Sequence, residues 1–298
     1  MELKQVSKGV SYIRNATNIG VISDGQQAIL VDSGLDDDTG RRVLKVLADK
    51  GLKPTAIINT HAHADHCGAN SYVKKRTGAM VYAPEIEADL IQHPLLEPLA
   101  FFSFASPPDE MKSKFMMAKP SPVDHVIDSQ EHILVINGIN IRVLPLPGHS
   151  INQIGLIYDG IMFCADSVLS REILAKHRLP LNFDVEKQME TLHALQASRH
   201  KFYIPSHAEP TPDVADLVTA NLEAIKGIED YISNLVQESI PVDDIVQKLC
   251  DAYKLDLNTS PQYYLARSTV MSYLTSLCKQ GRIKQIIKSN RLLWVKLT

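Results

Sequence analysis

The sequence predicts a mixed α/β (α+β) fold with a small second unit at its C-terminal end, on three observations. Short apolar runs rich in β-branched residues end abruptly in polar, metal-type side chains. Amphipathic repeats of helical period lie between and after those runs. The stretch 240–298 reads helix, helix, β-hairpin and differs in charge from the rest. With 298 residues, 45% hydrophobic and 22% charged, the chain can bury one large core and a smaller one.

Taken in chain order, Ala56–Thr60 reads as a buried strand that runs into His61-Ala62-His63-Ala64-Asp65-His66-Cys67-Gly68. Three imidazoles and a carboxylate thus fall within the six positions from His61 to His66. Neutral imidazole beside carboxylate is the ligand set suited to zinc and similar divalent ions. Gly68 and the residues after it read as the start of a helix, so the cluster is placed on a strand-to-helix loop. Residues 84–128 then interleave seven prolines with Phe101, Phe102, Phe104, Phe115 and three methionines. Prolines break regular structure while aromatics need cover. This stretch reads as an inserted lid over the metal edge, a dimer contact, or both, and without a basic face it does not suggest a membrane surface.

Ile139–Leu146 is a further strand, ending in Pro147-Gly148-His149-Ser150. An Asp159-Gly160 turn joins Ile154–Tyr158 to Gly160–Ala165 as a hairpin whose second strand ends at Asp166. The segment 167–182 reads as a basic loop, and Arg171, His177 and Arg178 are candidates for binding an anionic part of a substrate. Phe183–Ala197 reads as a helix, Lys201–Pro205 as a strand followed by Ser206-His207, and Asp213–Gln237 as an amphipathic helix. Several strands therefore deliver a metal-type side chain just past their last apolar residue. Laid side by side, they would converge on one sheet edge. After a break at 238–241, Asp243–Tyr253 is helical. Ser260-Pro261 caps a second helix that Gly281 ends, and Arg282–Lys288 and Leu292–Leu297 form a hairpin.

The motif His61-x-His63-x-Asp65-His66, the later Pro-Gly-His149, Asp166 and His207 together resemble the metallo-β-lactamase superfamily. The strand Ala28–Val31 leading to Asp32-Ser33-Gly34 matches that family's early strand, and the resemblance covers roughly residues 10–235. It implies a four-layer αββα sandwich with two divalent metals at one edge, zinc first, with iron or manganese as alternatives. His61, His63 and His149 would hold one metal, and Asp65, His66 and His207 the other, with Asp166 bridging. Asp65 and Asp166 would be the catalytic carboxylates. Asp32 would orient a ligand histidine through its free ring N–H, or cap the following helix. The main zinc β-lactamases carry a cysteine where Asp166 stands, and the lactone hydrolases of similar metal pattern carry a tyrosine where Leu169 stands. Both branches are disfavoured.

Composition narrows the setting. Met1–Val6 lacks an apolar leader and no run approaches a membrane span, so the chain is expected to be cytoplasmic. Cysteines 67, 164, 250 and 278 show no paired spacing; Cys164, in an apolar strand, and Cys278, in an apolar helical pattern, read as reduced core residues. Cys67 is expected to pack inward rather than to ligate metal. Residues 240–298 hold nine basic against four acidic side chains, whereas the rest holds 22 against 30. After Asp256 there are seven basic residues and no acid.

These features divide the chain into a metal hydrolase domain, 1–239, carrying the lid at about 84–128, and a winged-helix-like domain, 240–298. The expected activity is dinuclear hydrolysis of a small ester, thioester or lactone-type molecule. An endoribonuclease or phosphodiesterase that holds nucleic acid through 262–298 is the alternative, as is a ligand-sensing nucleic-acid-binding protein without catalysis. A mononuclear iron oxygenase is a third possibility. The apolar lid favours a compact, partly apolar substrate over a polyanion. A homo-oligomer is expected, and no membrane partner.

Overall fold

A computed structural model describes residues 1–297. Seven strands form the first sheet in sequence order: β1 (Glu2–Ser7), β2 (Val10–Arg14), β3 (Ile19–Asp24), β4 (Gln27–Val31), β5 (Lys53–Ile58), β6 (Met80–Pro84) and β7 (His125–Ile127). The first four pair antiparallel as a meander, and β4 to β7 pair parallel. The parallel strands need crossovers, which are α1 (Asp37–Ala48), the pair α2 (Ala64–Cys67) and α3 (Asn70–Thr77), and the long segment between β6 and β7. That segment holds α4 (Glu87–Gln92), α5 (Leu96–Phe101) and a 3₁₀ turn at Asp109–Lys112.

The second sheet runs β12-β11-β10-β9-β8, from β8 (Ile133–Ile136), β9 (Ile139–Pro145), β10 (Ile154–Tyr158), β11 (Ile161–Leu169) and β12 (Phe202–His207). Around it lie α6 (Arg171–His177), α7 (Val185–Ala197) and α8 (Ala215–Leu235). The chain ends in α9 (Val242–Tyr253), α10 (Ser260–Lys279) and the hairpin β13 (Ile283–Lys288) with β14 (Arg291–Lys296).

Three apolar clusters define the layers. One joins the two sheets face to face, with Val10, Ile29 and Ile58 of the first meeting Ile141, Leu156 and Phe163 of the second. The second cluster seats α1 and α3 on the outer face of the first sheet through Val43, Leu47 and Val73. The third seats α7 and α8 on the outer face of the second sheet and continues into the last elements. It runs from Met162 and Leu192 through Ile228 and Ile245 to Leu277 and Trp294 without a break. The result is the expected αββα order of layers.

Several local expectations are corrected. The helix near the histidine motif begins at Ala64, not Gly68, so Asp65 and His66 lie inside a one-turn helix and Gly68 is its C-terminal cap. Strand β11 does not end at Asp166 but continues to Leu169. Its pairing with β12 slips on either side of Ala165, which sits at a left-handed φ of 51°. That slip and strained residue interrupt the regular strand at the point where Asp166 enters the site. Within 167–182, Arg171–His177 forms a helix capped by the Ser170 hydroxyl rather than part of a loop. Thr259, not Ser260, caps α10, in a reciprocal capping box with Gln262. The terminal hairpin turns on two residues, Ser289 and Asn290, both at positive φ. The meander β1–β3 and the short β8 were not anticipated.

Candidate metal centre

All the expected ligands meet at one edge of the sandwich, at the ends of strands from both sheets. His61 and His63 follow β5, Asp65 and His66 sit on α2, and His149 follows β9. Asp166 comes from β11 and His207 from the end of β12. Three groups of ligand atoms lie mutually within 4.8 Å: His61, His63 and His149; His61, His66 and Asp166; Asp65, His66 and His207.

Within the first group, His63 Nδ1 lies 3.0 Å from His61 Nε2 and 2.9 Å from His149 Nε2. In the third group His207 Nε2 lies 3.2 Å from Asp65 Oδ2, and it lies equally close to Asp166 Oδ2 of the second. The Asp166 carboxylate stands between the first and third groups, with Oδ2 3.4 Å from His149 Nε2 and Oδ1 3.3 Å from His66 Nε2. Those last two atoms, Asp166 Oδ1 and His66 Nε2, are buried and have no hydrogen-bond partner among the described residues. Buried polar atoms almost always have partners. A divalent cation held between the two atoms satisfies both, so the residues present fit a metal.

Most of the histidines have a partner for the ring nitrogen turned away from the cluster, which sets orientation and tautomer. His66 Nδ1 lies 2.8 Å from Asp32 Oδ2, and His61 Nδ1 lies 3.0 Å from the Thr60 hydroxyl. Asp32 also accepts from the Thr60 amide and hydroxyl, at 2.8 and 2.9 Å. The helix cap that Asp32 could have provided is made by Asp36 instead. His149 Nδ1 faces the Leu181 carbonyl at 3.1 Å, and His207 Nδ1 faces the Ala16 carbonyl at 3.2 Å. His63 is the exception: its Nε2 lies 4.0 Å from the Glu97 carboxylate, beyond a hydrogen bond.

The protein alone already separates the charges. Burial holds His61 well below the usual imidazole range and lowers His149 to about 3. Burial also opposes a charge on His207, but the Asp166 and Asp65 carboxylates overcome it and raise that imidazole to about 10. His66 is likewise lowered by burial and raised further by Asp166, Asp65 and Asp32, ending well above the usual range. Burial disfavours the Asp166 anion, yet His207 and His66 hold its pKa well below the ordinary carboxylate value. The carboxylates thus favour protons on His66 and His207 in the metal-free protein, and a bound metal would have to displace them.

Some supporting residues had no signal in the sequence. The Thr17 hydroxyl donates to Asp65 Oδ2 at 2.7 Å, and the Asn18 amide donates to the carbonyls of Pro205 and Ala208. Together they fix the β2–β3 loop against two ligand-bearing segments. Glu87, 1% exposed, accepts from the Ala62 amide, the Ser150 hydroxyl and the Asn152 amide, each at 2.9 Å. Glu97 is pushed up to about 8 by burial and by neighbouring Glu87 and Asp65.

Of the three proposed anion-binding residues, only His177 lines the cleft over the metal edge. Arg171 is exposed and lies outside the cleft lining. Arg178 is committed elsewhere: its guanidinium donates to the carbonyls of Tyr253 and Lys254 at 2.7 and 3.0 Å, closing the end of α9. Cys67 packs inward, with Sγ 3.1 Å from the Ala62 carbonyl and its thiol pushed up by burial.

Fold and ligand geometry together define a protein of αββα sandwich architecture with a candidate metal centre at one edge. A sequence profile of the metallo-β-lactamase superfamily matches residues 12–207, and the chain belongs to that superfamily. A hydroxyacylglutathione hydrolase of Thiobacillus denitrificans is 26% identical over 152 residues, 50% of this chain and 45% of that protein. The probable metallo-hydrolase YqgX of Bacillus subtilis is 29% identical over 154 residues, 52% of this chain and 64% of that protein. The chain thus spans about half the length of the curated relatives it matches. A metallo-β-lactamase family protein from Thermus thermophilus, TTHA1429, superposes with TM-score 0.75 at 17% identity, covering 98% of this chain and all of that one. A β-lactamase domain protein from Burkholderia ambifaria gives TM-score 0.75 at 16% identity, covering 99% of this chain and 93% of that one. These likenesses establish the fold. No helix among the described residues is long and apolar enough to cross a membrane.

Proposed function

We propose that the protein is a dinuclear, zinc-dependent hydrolase of small carboxylic thioesters or esters. The observation that carries this reading is the Asp166 carboxylate between two ligand groups, with its buried Oδ1 facing an equally unpartnered His66 Nε2. A carboxylate offers one oxygen to each of two metals, which an imidazole cannot do. Divalent ions at such a site supply Lewis-acid polarisation of a carbonyl and water acidified toward neutrality.

The chain's own residues do the rest. Thr17 and His207 engage Asp65 through Oδ2, which leaves Oδ1 placed to take a proton from an attacking water. Asp32, Thr60, Leu181 and Ala16 keep four imidazoles turned inward. Leu169, Leu179 and Leu181 line the same cleft as His63, Asp65, His149, Asp166 and His207 and give it an apolar side. The relatives named hydroxyacylglutathione hydrolases act, by that name, on an acyl-sulfur bond, which supports a thioester for this site.

The C-terminal segment, winged-helix-like in the order of its elements, we assign to the cleft wall rather than to nucleic acid. The test is elemental analysis of metal-replete protein together with turnover of a generic thioester, a generic ester and single-stranded RNA. Two zinc equivalents with thioester or ester cleavage that chelation abolishes is the expected result. One ion or none, or RNA cleavage alone, overturns the reading.

A further inference from the structure

The cleft over the metal edge, about 1080 Å³, has two unlike flanks. Toward the first sheet it is lined by Asp36, Asp38, Arg42 and Lys114. These charges are already matched: Lys114 Nζ lies 2.8 Å from Asp36, and Arg42 Nε 3.0 Å from Asp38. Toward the second sheet the lining is Leu179, Leu181, Leu255, Leu257, Leu265 and Ala266. Two of these precede α7, two lie between α9 and α10, and two lie on α10. Gln262, Leu265, Ala266 and Thr269 fall at positions i, i+3, i+4 and i+7, so one face of α10 forms the wall.

The wall is held in place on both sides. Leu179, Leu255 and Leu257 pack on the large cluster behind the second sheet. The β6–β7 segment is fastened to α10, since Ser260 donates to both oxygens of Glu110 and the Phe102 ring meets Tyr264 at 5.1 Å. The metal ligands, drawn from the strand ends of both sheets, lie between the two flanks.

We propose that the second-sheet flank is a subsite for a linear aliphatic acyl chain, so that the substrates are acyl thioesters of medium chain length. The inference rests on the hydrolase reading for the bond that is cleaved. Water adds across the acyl–sulfur bond: a C–O bond forms, the C–S bond breaks, and a proton from the water passes to the departing thiolate. The acid keeps the chain on the leucine wall, and the thiol leaves along the polar flank. The same cleft also carries Lys176, His177 and the exposed Asp256, but the six aliphatic side chains on this flank suit a chain of methylenes better than a sugar or a nucleotide.

The test has a readout that does not need turnover. N-acyl cysteamines, in which an amide replaces the thioester, are titrated calorimetrically into the metal-free full-length chain, from acetyl to octanoyl. Dissociation constants should fall about threefold to fourfold per added methylene, the ratio that corresponds to about 0.8 kcal/mol for each buried CH₂. Ala266→Trp, which fills the wall, and Leu257→Asp, which charges it, should flatten that series, with circular dichroism melts confirming that each variant is folded. Binding independent of chain length in the unaltered protein, or an undiminished slope in both folded variants, overturns the subsite. A steep binding series without thioester cleavage by the zinc-loaded chain would leave the subsite standing and overturn the hydrolase reading. Cleavage without any chain-length preference would do the reverse.

Discussion

Glu87 Oε2 accepts a hydrogen bond from the Ala62 amide at 2.9 Å, which ties the segment between β6 and β7 directly into the loop that carries His61 and His63. The other carboxylate oxygen holds Ser150 and Asn152, next to His149. One buried side chain therefore sets the spacing of the three-histidine group. Glu87→Ala leaves three donors without their partner and should cost about 3 kcal/mol or more, at 1–3 kcal/mol for each unsatisfied buried group. Metal affinity should fall about 10- to 100-fold. Urea denaturation and chelator competition measure the two effects, and an unchanged affinity in the folded variant would remove Glu87 from the site's support.

Asp166→Asn should lower turnover by orders of magnitude, and the metal-free protein should stay folded while losing the part of its stability that the His66 and His207 protons draw from this carboxylate. The strand slip at Ala165 is made by backbone and survives the change. One anionic oxygen between the ligand groups does not. Steady-state kinetics beside thermal denaturation separate the two, and equal turnover in variant and parent would sink the bridging role.

Stability of the metal-free protein should peak near neutral pH. His207 has its folded pKa raised to about 10 by Asp166 and Asp65 against burial, so its contribution is complete below its unfolded value and is lost as pH rises toward 10. His149, lowered by burial to about 3, has the opposite sign: its neutral form is favoured by folding, and stability falls as pH drops from the unfolded value. Zinc replaces the protons on the raised histidines and should flatten the alkaline limb. Guanidinium midpoints from pH 5 to 10, with and without zinc, test this; an alkaline limb unaffected by zinc would count against proton–metal competition.

Gly148 precedes His149 at a φ of 133°, and a Cβ added there would lie 2.4 Å from the Gln188 backbone at the start of α7. Gly148→Ala should destabilise by about 2–4 kcal/mol, combining backbone strain with overpacking, and should displace His149. Chemical denaturation and zinc stoichiometry are the measurements. A stable variant with full zinc content would contradict the close approach.

The histidine motif and the Pro-Gly-His149 turn were legible because each is written locally, in a ligand spacing, whereas the αββα layering came only through the family resemblance that those motifs carry. Thr17, Asn18, Glu87 and Glu97 were not, because they act across loops that sequence separates widely: Asn18 reaches Pro205 and Ala208. Arg178 misled for a related reason. A guanidinium near a site signals anion binding, but here two carbonyls at the end of α9 take it. The contrast in charge between 1–239 and 240–298 likewise gains an internal meaning. Lys279 pairs with Glu186 at 3.2 Å, while Arg282 lies 3.6 Å from Glu229 and 3.9 Å from Asp230, so basic side chains of the last segment meet acids of α7 and α8. Single exposed pairs contribute little, yet the charge asymmetry that suggested a polyanion partner is partly consumed within the molecule.

The unbroken cluster from Met162 to Trp294 has a consequence for how the molecule opens. Amide protons of α8, α10 and β14 share one body of buried side chains, and such bodies exchange with solvent as cooperative units. Protection in the final helix should therefore match that behind the second sheet, rather than decay toward the chain end. The cleft wall would then be as long-lived as the strands that carry the ligands, and substrate selection would fall to a surface that does not breathe independently of them.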